Sequence, residues 1–310
     1  MKKTLVVLMS IILVPLSITN FFYKYKEIKI STGFIHNKSE NEPVVRVLKG
    51  DNTVENIKLE DYLIGVVSSE VPASFEKEAI KAQTVAARTY ALKKIQSSKD
   101  SQYDVTDDTS TQVYQSDDQL RMKWKDKYDE YISKIKECIE ETKGEYLTYN
   151  NEVIYAFFFS TSNGKTEDNK NVFGQDLPYL KIVDSSFDEN ETTGFYSTKT
   201  YTLSDFYQKL GLEYSDNLTI TNEEYTESGR VKNITINGTT FSGRNFQSKL
   251  SLRSNDFNIE KNDTSIKITT KGFGHGVGMS QYGANALAKQ NKTYEEILKY
   301  YYQGTDLKKL

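Results

Sequence analysis

Glu70 stands in Val66-Val67-Ser68-Ser69-Glu70-Val71-Pro72-Ala73-Ser74-Phe75, where an apolar helix ends, a proline breaks the chain and an alanine-rich helix begins. The negative end of a helix dipole and apolar neighbours both disfavour an ionised carboxylate, so its pKa is expected to rise. A carboxyl group that stays protonated near neutrality can act as a general acid. The bland alternative is a cap, or an ion pair with Arg88.

A second candidate is His275, carried on Gly272-Phe273-Gly274-His275-Gly276-Val277-Gly278-Met279-Ser280-Gln281-Tyr282-Gly283. Four glycines at every second position leave the backbone bare and hold the imidazole near an open surface. It could touch substrate or simply support the loop. The run fails the dinucleotide pattern G-x-G-x-x-G in every register, since Val277, Met279 or Gln281 stands at the third glycine. No phosphate loop accompanies Gly164-Lys165-Thr166, because Phe159 occupies the position of its first glycine. The cluster Ser160-Thr161-Ser162 lacks the Gly-x-Ser-x-Gly elbow of a serine hydrolase. Asp104, Asp107 and Asp108 lie in a polar stretch and stay open as further acids.

The chain has 310 residues, 27% charged and 37% apolar, with a net charge of -3. That is a globular composition with no basic excess for nucleic acid. The 22 Tyr and 15 Phe suit sugar stacking as well as ordinary packing. One cysteine, Cys138, rules out an internal disulfide, and with only His36 and His275 no zinc set can be assembled. No metal or cofactor is expected, and Cys138 reads as a small buried hydrophobe.

Three regions follow. Residues 1–23, with an uncharged run from Thr4 to Tyr23, are long enough for a transmembrane signal-anchor, and a poor small-x-small exit argues against cleavage. Residues 24–42 form a polar stalk containing His36. Residues 43–310 form an α+β domain, with 185–265 as an inserted second α/β lobe. Within it we expect strands at 44–48 and 54–59, helices at 60–69, 75–95 and 127–142, and a loop at 103–118. A strand at 153–160 and one at 266–270 should complete the main core. Ser74 and Ser204 are the expected N-caps for the second helix and for a helix at 203–210, and Asn237-Gly238 marks a hairpin. The chain should end in helices at 279–290 and 294–302.

The block Val67–Pro72, followed by Glu78-Ala79-Ile80-Lys81-Ala82-Gln83-Thr84-Val85-Ala86-Ala87-Arg88-Thr89-Tyr90, resembles the signature of the SpoIID/LytB family. Ser110–Tyr114, Phe158–Gly164 and Gly274–Ala284 agree with it, in order, from about Val44 to the C-terminus. The resemblance implies an extracytoplasmic lytic transglycosylase acting on peptidoglycan glycan strands during spore engulfment. It implies a preference for strands stripped of stem peptides, and work at the mother-cell membrane beside a SpoIIP-type amidase and a SpoIIM-type membrane protein. Its catalytic glutamate falls on Glu70. Arg88, Gln112, Tyr114, Ser160, Ser162, His275, Gln281 and Tyr282 fall in the shared blocks and become groove-lining candidates. LytB-type relatives imply the rival, a wall-binding or amidase-modifying protein without catalysis.

Overall fold

The computed structural model describes residues 29–30 and 42–310. The apolar run from Thr4 to Tyr23, and nearly all of the stalk with His36, lie outside the described residues. Among those described, no helix is long and apolar enough to cross a membrane. Lys29–Ile30 pairs parallel with Thr53–Val54.

The architecture is mixed α+β. Val44–Leu48 and Thr53–Lys58 form an antiparallel pair around the polar Lys49–Asn52 turn, and Val105–Thr106 adds parallel to the first strand. The chain then enters helix α1, Leu59–Glu70, which buries Tyr62, Leu63, Val66 and Val67. Val71 is extended, as a residue before proline should be, so the helix stops with Glu70 as its last residue.

Helix α2, Lys77–Ser97, is buried along most of its length. Ala79, Ala82, Ala86, Ala87 and Ala91 leave it narrow. It is therefore enclosed by α1, by the helices Tyr128–Glu141, Gln281–Lys289 and Tyr294–Tyr301, and by the strand Glu145–Tyr149. The expected Ser74 cap is not used. Helix α2 begins two residues later, and the Glu76 N–H instead donates to Asn285 Oδ1 at 2.9 Å, 209 residues away in sequence.

Two buried groups tie these elements together. The Arg88 guanidinium, fully enclosed, donates to both carboxylate oxygens of Glu60 at 2.9 and 2.7 Å and to the Glu145 carbonyl at 3.1 Å. Arg88 thus pairs with Glu60, not Glu70. The buried Cys138 sits in the main core, and burial pushes its thiol up to about 11.

Other expectations shift in register. The apolar 153–160 run is strand only at Glu152–Val153 and Phe158–Phe159, and the second of these pairs parallel with Met279–Ser280. A helix at Asp117–Trp124, capped by a Ser116/Gln119 box, was not foreseen within the polar stretch. Thr202, not Ser204, caps the helix Leu203–Leu210. The strand Ser265–Lys271 does not join the main core. It lies between Tyr196–Thr202 and Phe257–Lys261, and Ile266 and Ile268 point into a separate core with Phe206, Phe246 and Ile234. Three strands over 220–242 complete that lobe, with Asn237 and Gly238 both at positive φ in the hairpin turn.

Because Arg88 is enclosed and Glu60 is largely so, Arg88→Ala strands a carboxylate. We expect a stability loss of about 3–5 kcal/mol in urea unfolding, with Arg88→Lys recovering part of it because an ammonium cannot reproduce the fork. A loss below about 1 kcal/mol would contradict the ion-pair role.

Candidate active site

Glu70 is half-buried at the C-terminal end of α1, and segments distant in sequence close over its carboxyl group. Oε1 accepts the Val113 backbone N–H at 2.9 Å, and Oε2 accepts from Gln281 Nε2 at 3.4 Å. Burial raises its pKa, and these two hydrogen bonds oppose the rise without cancelling it. The helix end is itself held, since the Lys123 ammonium donates to the Ser68 carbonyl at 3.0 Å.

Each donor has its own support. Gln112, buried, accepts from the Tyr62 hydroxyl at 3.3 Å and donates to the Ala87 carbonyl at 3.3 Å. It pins the 110–114 segment between α1 and α2 and thereby aims the next backbone N–H at Glu70. Tyr114 stacks on Tyr62 at 5.6 Å and presses on Gly65, where an added Cβ would lie 2.4 Å from its ring. Gln281 is the first residue of its helix, capped by the Ser280 hydroxyl, which accepts from the Gly283 N–H at 3.2 Å.

The glycine-rich run is a lattice of close approaches. Gly272, Gly274, Gly276 and Gly278 all take positive φ. A Cβ on Gly278 would lie 2.0 Å from the Phe157 carbonyl, and one on Gly276 2.7 Å from the Arg230 guanidinium. Phe273 and Thr161 exchange backbone hydrogen bonds, and Ser160 accepts from Tyr282 N–H at 3.1 Å. Beneath them the buried Asp188 accepts from the Ser162 N–H at 2.7 Å, from Ser185 Oγ at 2.8 Å and from Ser280 Oγ. Its pKa is raised, burial outweighing these donors.

This lattice presents His275 among Phe157, Phe159 and Phe173, ring centroids 6.1, 5.7 and 5.5 Å away. Nδ1 accepts the Val277 N–H at 3.0 Å. Burial, with Arg244 and Arg230 adding repulsion, lowers its pKa to about 3, so the ring is neutral. His275 lines a cleft of about 280 Å³ with Tyr90, Thr109, Ser110, Thr111, Gln112, Phe157, Phe158, Phe173 and Arg244. No carboxylate is among those lining residues. Glu70 adjoins this wall through Val113, the residue after Gln112, and its charge adds to the burial that raises the Tyr90 pKa to about 12.

The candidates therefore separate. Gln281 touches Glu70, His275 lines the cleft, and Gln112 both lines it and sets the Val113 donor. Tyr114, Ser160 and Tyr282 brace the surrounding segments, Tyr282 edge-on to Phe75 at 5.1 Å. Arg88 and Ser162 are fully enclosed and do not line a groove, which corrects the expectation for both. Ser162 serves the Asp188 cluster, its hydroxyl donating to the Ser185 carbonyl at 3.0 Å. Asp104 is bound to Arg46 and Ser98, and Asp108 to Thr106 and Ser110. These bonds hold both carboxyl groups below the usual range, unlike Glu70. Sequence reasoning missed Tyr90, Phe157, Phe173 and Arg244, although Tyr90 closes the block that contains Arg88.

In the unfolded chain the imidazole titrates near 6.5, against about 3 when folded. Its contribution to stability is present above pH 6.5 and is lost as pH falls from there towards 3. His275→Asn should flatten that part of the Tm–pH curve. Equal slopes for variant and wild type would show that the imidazole is not held neutral.

The family model for stage II sporulation protein (SpoIID) matches residues 48–149. Stage II sporulation protein D of Bacillus subtilis (strain 168) is 45% identical over 272 residues, covering 86% of this chain and 78% of that protein. The Bacillus amyloliquefaciens protein of the same name is 43% identical with the same coverage. The amidase enhancer of Bacillus subtilis is 30% identical over 79% of this chain, which spans only 40% of that longer protein. With 45% identity over 86% of this chain and 78% of that relative, the chain belongs to the stage II sporulation protein D (SpoIID) family.

Proposed function

We propose that the protein is a lytic transglycosylase that cuts the MurNAc–GlcNAc bond of peptidoglycan strands stripped of stem peptides, during engulfment in endospore formation. The observation that carries this is the half-buried carboxyl of Glu70, with its pKa raised, held by the Val113 N–H next to Gln112 in the wall of an aromatic cleft whose own lining residues include no carboxylate. Retaining and inverting glycoside hydrolases generally need two carboxyl groups, one as acid and one as nucleophile or base. A transglycosylase needs one. Protonated Glu70 donates to the glycosidic oxygen, the bond to the muramic anomeric carbon breaks, and the carboxylate then accepts the proton of the muramic C6 hydroxyl. That hydroxyl attacks the anomeric carbon of its own ring and leaves an anhydro-muramic end. Intramolecular attack supplies the nucleophile at high effective concentration, so no activated water is required.

The Val113 N–H and the Gln281 amide favour the carboxylate once the proton has left, while burial favours the acid before transfer. Opposed influences of this kind keep both forms accessible in one cycle. Neutral His275 belongs to the polar part of the wall, with Tyr90, Thr109, Ser110, Thr111, Gln112 and Arg244. On this reading the chain is held at the mother-cell membrane, facing the forespore, through residues 1–23. It acts there on strands prepared by a SpoIIP-type amidase and assembled with a SpoIIM-type membrane protein.

A second reading is a non-catalytic wall protein that binds glycan and modifies an amidase. It is favoured by the likeness to a protein named amidase enhancer. Product analysis separates the two. Wild type should release anhydro-muramic ends from stripped strands, and Glu70→Gln should lose at least ~10²–10⁴-fold in rate, the usual weight of a general acid. Binding without cutting by both would support the wall-binding reading, and equal cutting by both would remove Glu70 from the mechanism.

The pH dependence has a definite sign. The acid form is the active one, so kcat/KM should fall as pH rises through the elevated Glu70 pKa, with no separate limb near 6.5 from His275. In stability the same shift works the other way from an ordinary paired carboxylate. Ionised Glu70 costs stability above its ordinary value of 4.5, so Glu70→Gln should match or exceed the wild-type Tm at pH 7 while being inactive. A marked Tm loss at that pH would count against the buried-acid description.

A further inference from the structure

Arg244 lies on the short helix Gly243–Lys249 of the second lobe, yet its guanidinium forms part of the wall of the cleft that also holds His275. Two contacts anchor it across the lobe boundary. It lies over the Phe173 ring, 5.4 Å from the centroid, and Nη1 donates to the Val172 carbonyl at 3.4 Å. Phe173 in turn stacks on Phe157 at 4.7 Å, and Phe157 lies 6.0 Å from Tyr90. The rings thus form a continuous apolar surface, and a single cation stands at its edge.

That cation has no carboxylate partner among the described residues. By contrast, Arg46 and Arg88 are fully engaged by Asp104 and Glu60. A guanidinium carries five N–H donors. One contact at 3.4 Å leaves most of the fork free, in a geometry that suits a planar carboxylate.

We infer that Arg244 binds the lactyl carboxylate of a muramic residue and so selects strands whose stem peptides have been removed. The inference rests on the transglycosylase reading only for the identity of the glycan. In a peptide-bearing strand that lactyl carboxyl is tied up as an amide, neutral and followed by a bulky chain. Amide hydrolysis replaces it with an anion on the same sugar. A cation at the rim of an aromatic cleft converts this chemical difference into a difference in affinity, while the rings carry the sugar faces. The second lobe thereby contributes specificity to a site whose acid belongs to the main domain.

The test uses the full chain carrying Glu70→Gln, so that binding is read without turnover. Two probes are compared by calorimetry: MurNAc–GlcNAc oligomers with the free lactyl carboxylate, and the same oligomers with that group capped as the carboxamide. The free acid should bind at least about tenfold more tightly, the size expected of a charge-assisted hydrogen bond, with the margin shrinking as salt rises. Adding Arg244→Gln should bring both probes to the weaker affinity, and Arg244→Lys should keep part of the preference, with Tm unchanged in each because the side chain is exposed. A preference that survives Arg244→Gln, or no preference in the parent, overturns the inference. Failure of wild type to form anhydro ends would instead overturn the transglycosylase reading, and the affinity ratio would still decide the role of Arg244.

Discussion

A half-buried carboxyl group at the C-terminal end of a helix is the constraint around which the molecule is arranged. Burial and the helix dipole both oppose its ionisation, so the group must be held by donors supplied from elsewhere. Here those donors come from residues 43 and 211 positions further along the chain. Each has to arrive within hydrogen-bond range without adding a positive charge, which would restore an ordinary carboxylate pKa. A backbone N–H and a side-chain amide meet that condition. The nearest arginine in sequence, Arg88, is engaged by its own partner, Glu60.

The remaining architecture follows from delivering those two donors. Gln112 bridges Tyr62 on α1 and Ala87 on α2, so the position of the Val113 N–H is set by the packing of the two helices. Gln281 depends on the glycine-rich run, and that run depends on a buried polar cluster. Asp188 gathers the Ser162 backbone with the Ser185 and Ser280 hydroxyls, locking the 160–164 segment to the start of the last helical pair. A polar cluster fits this position because it fixes direction, which apolar packing does less strictly. The four glycines are required by the same geometry: their φ values and the nearness of Phe157 and Arg230 leave no room for a side chain.

His275 illustrates how such a frame changes the chemistry of a residue. Aromatic rings remove water from it, and Arg230 and Arg244 face it from the second lobe. The result is a neutral imidazole that shapes the cleft, and proton transfer stays with Glu70. The second lobe thus reaches the site through two arginines while packing its own hydrophobic core apart from the main one.

Much of this was legible in the residues themselves. Proline after Val71 ends α1 at Glu70, Asn237-Gly238 turns a hairpin, and alanines at helical spacing make α2 the centre of the main core, all because these are local effects of φ, ψ and side-chain size. The chain order of the blocks around Glu70, residues 110–114, 158–164 and 274–284 carried the family. What local pattern could not determine was partnership. The roles of Arg88 and Ser162, enclosed rather than groove-lining, depend on which distant groups meet them. Ser265–Lys271 alternates like any half-buried strand, and only the burial of Ile266 and Ile268 assigns it to the second lobe. Arg244 carries no sequence signal at all, because a single arginine near a helix start is ordinary. Its place at the cleft arises from docking one lobe against the other, and that is a property of tertiary structure alone.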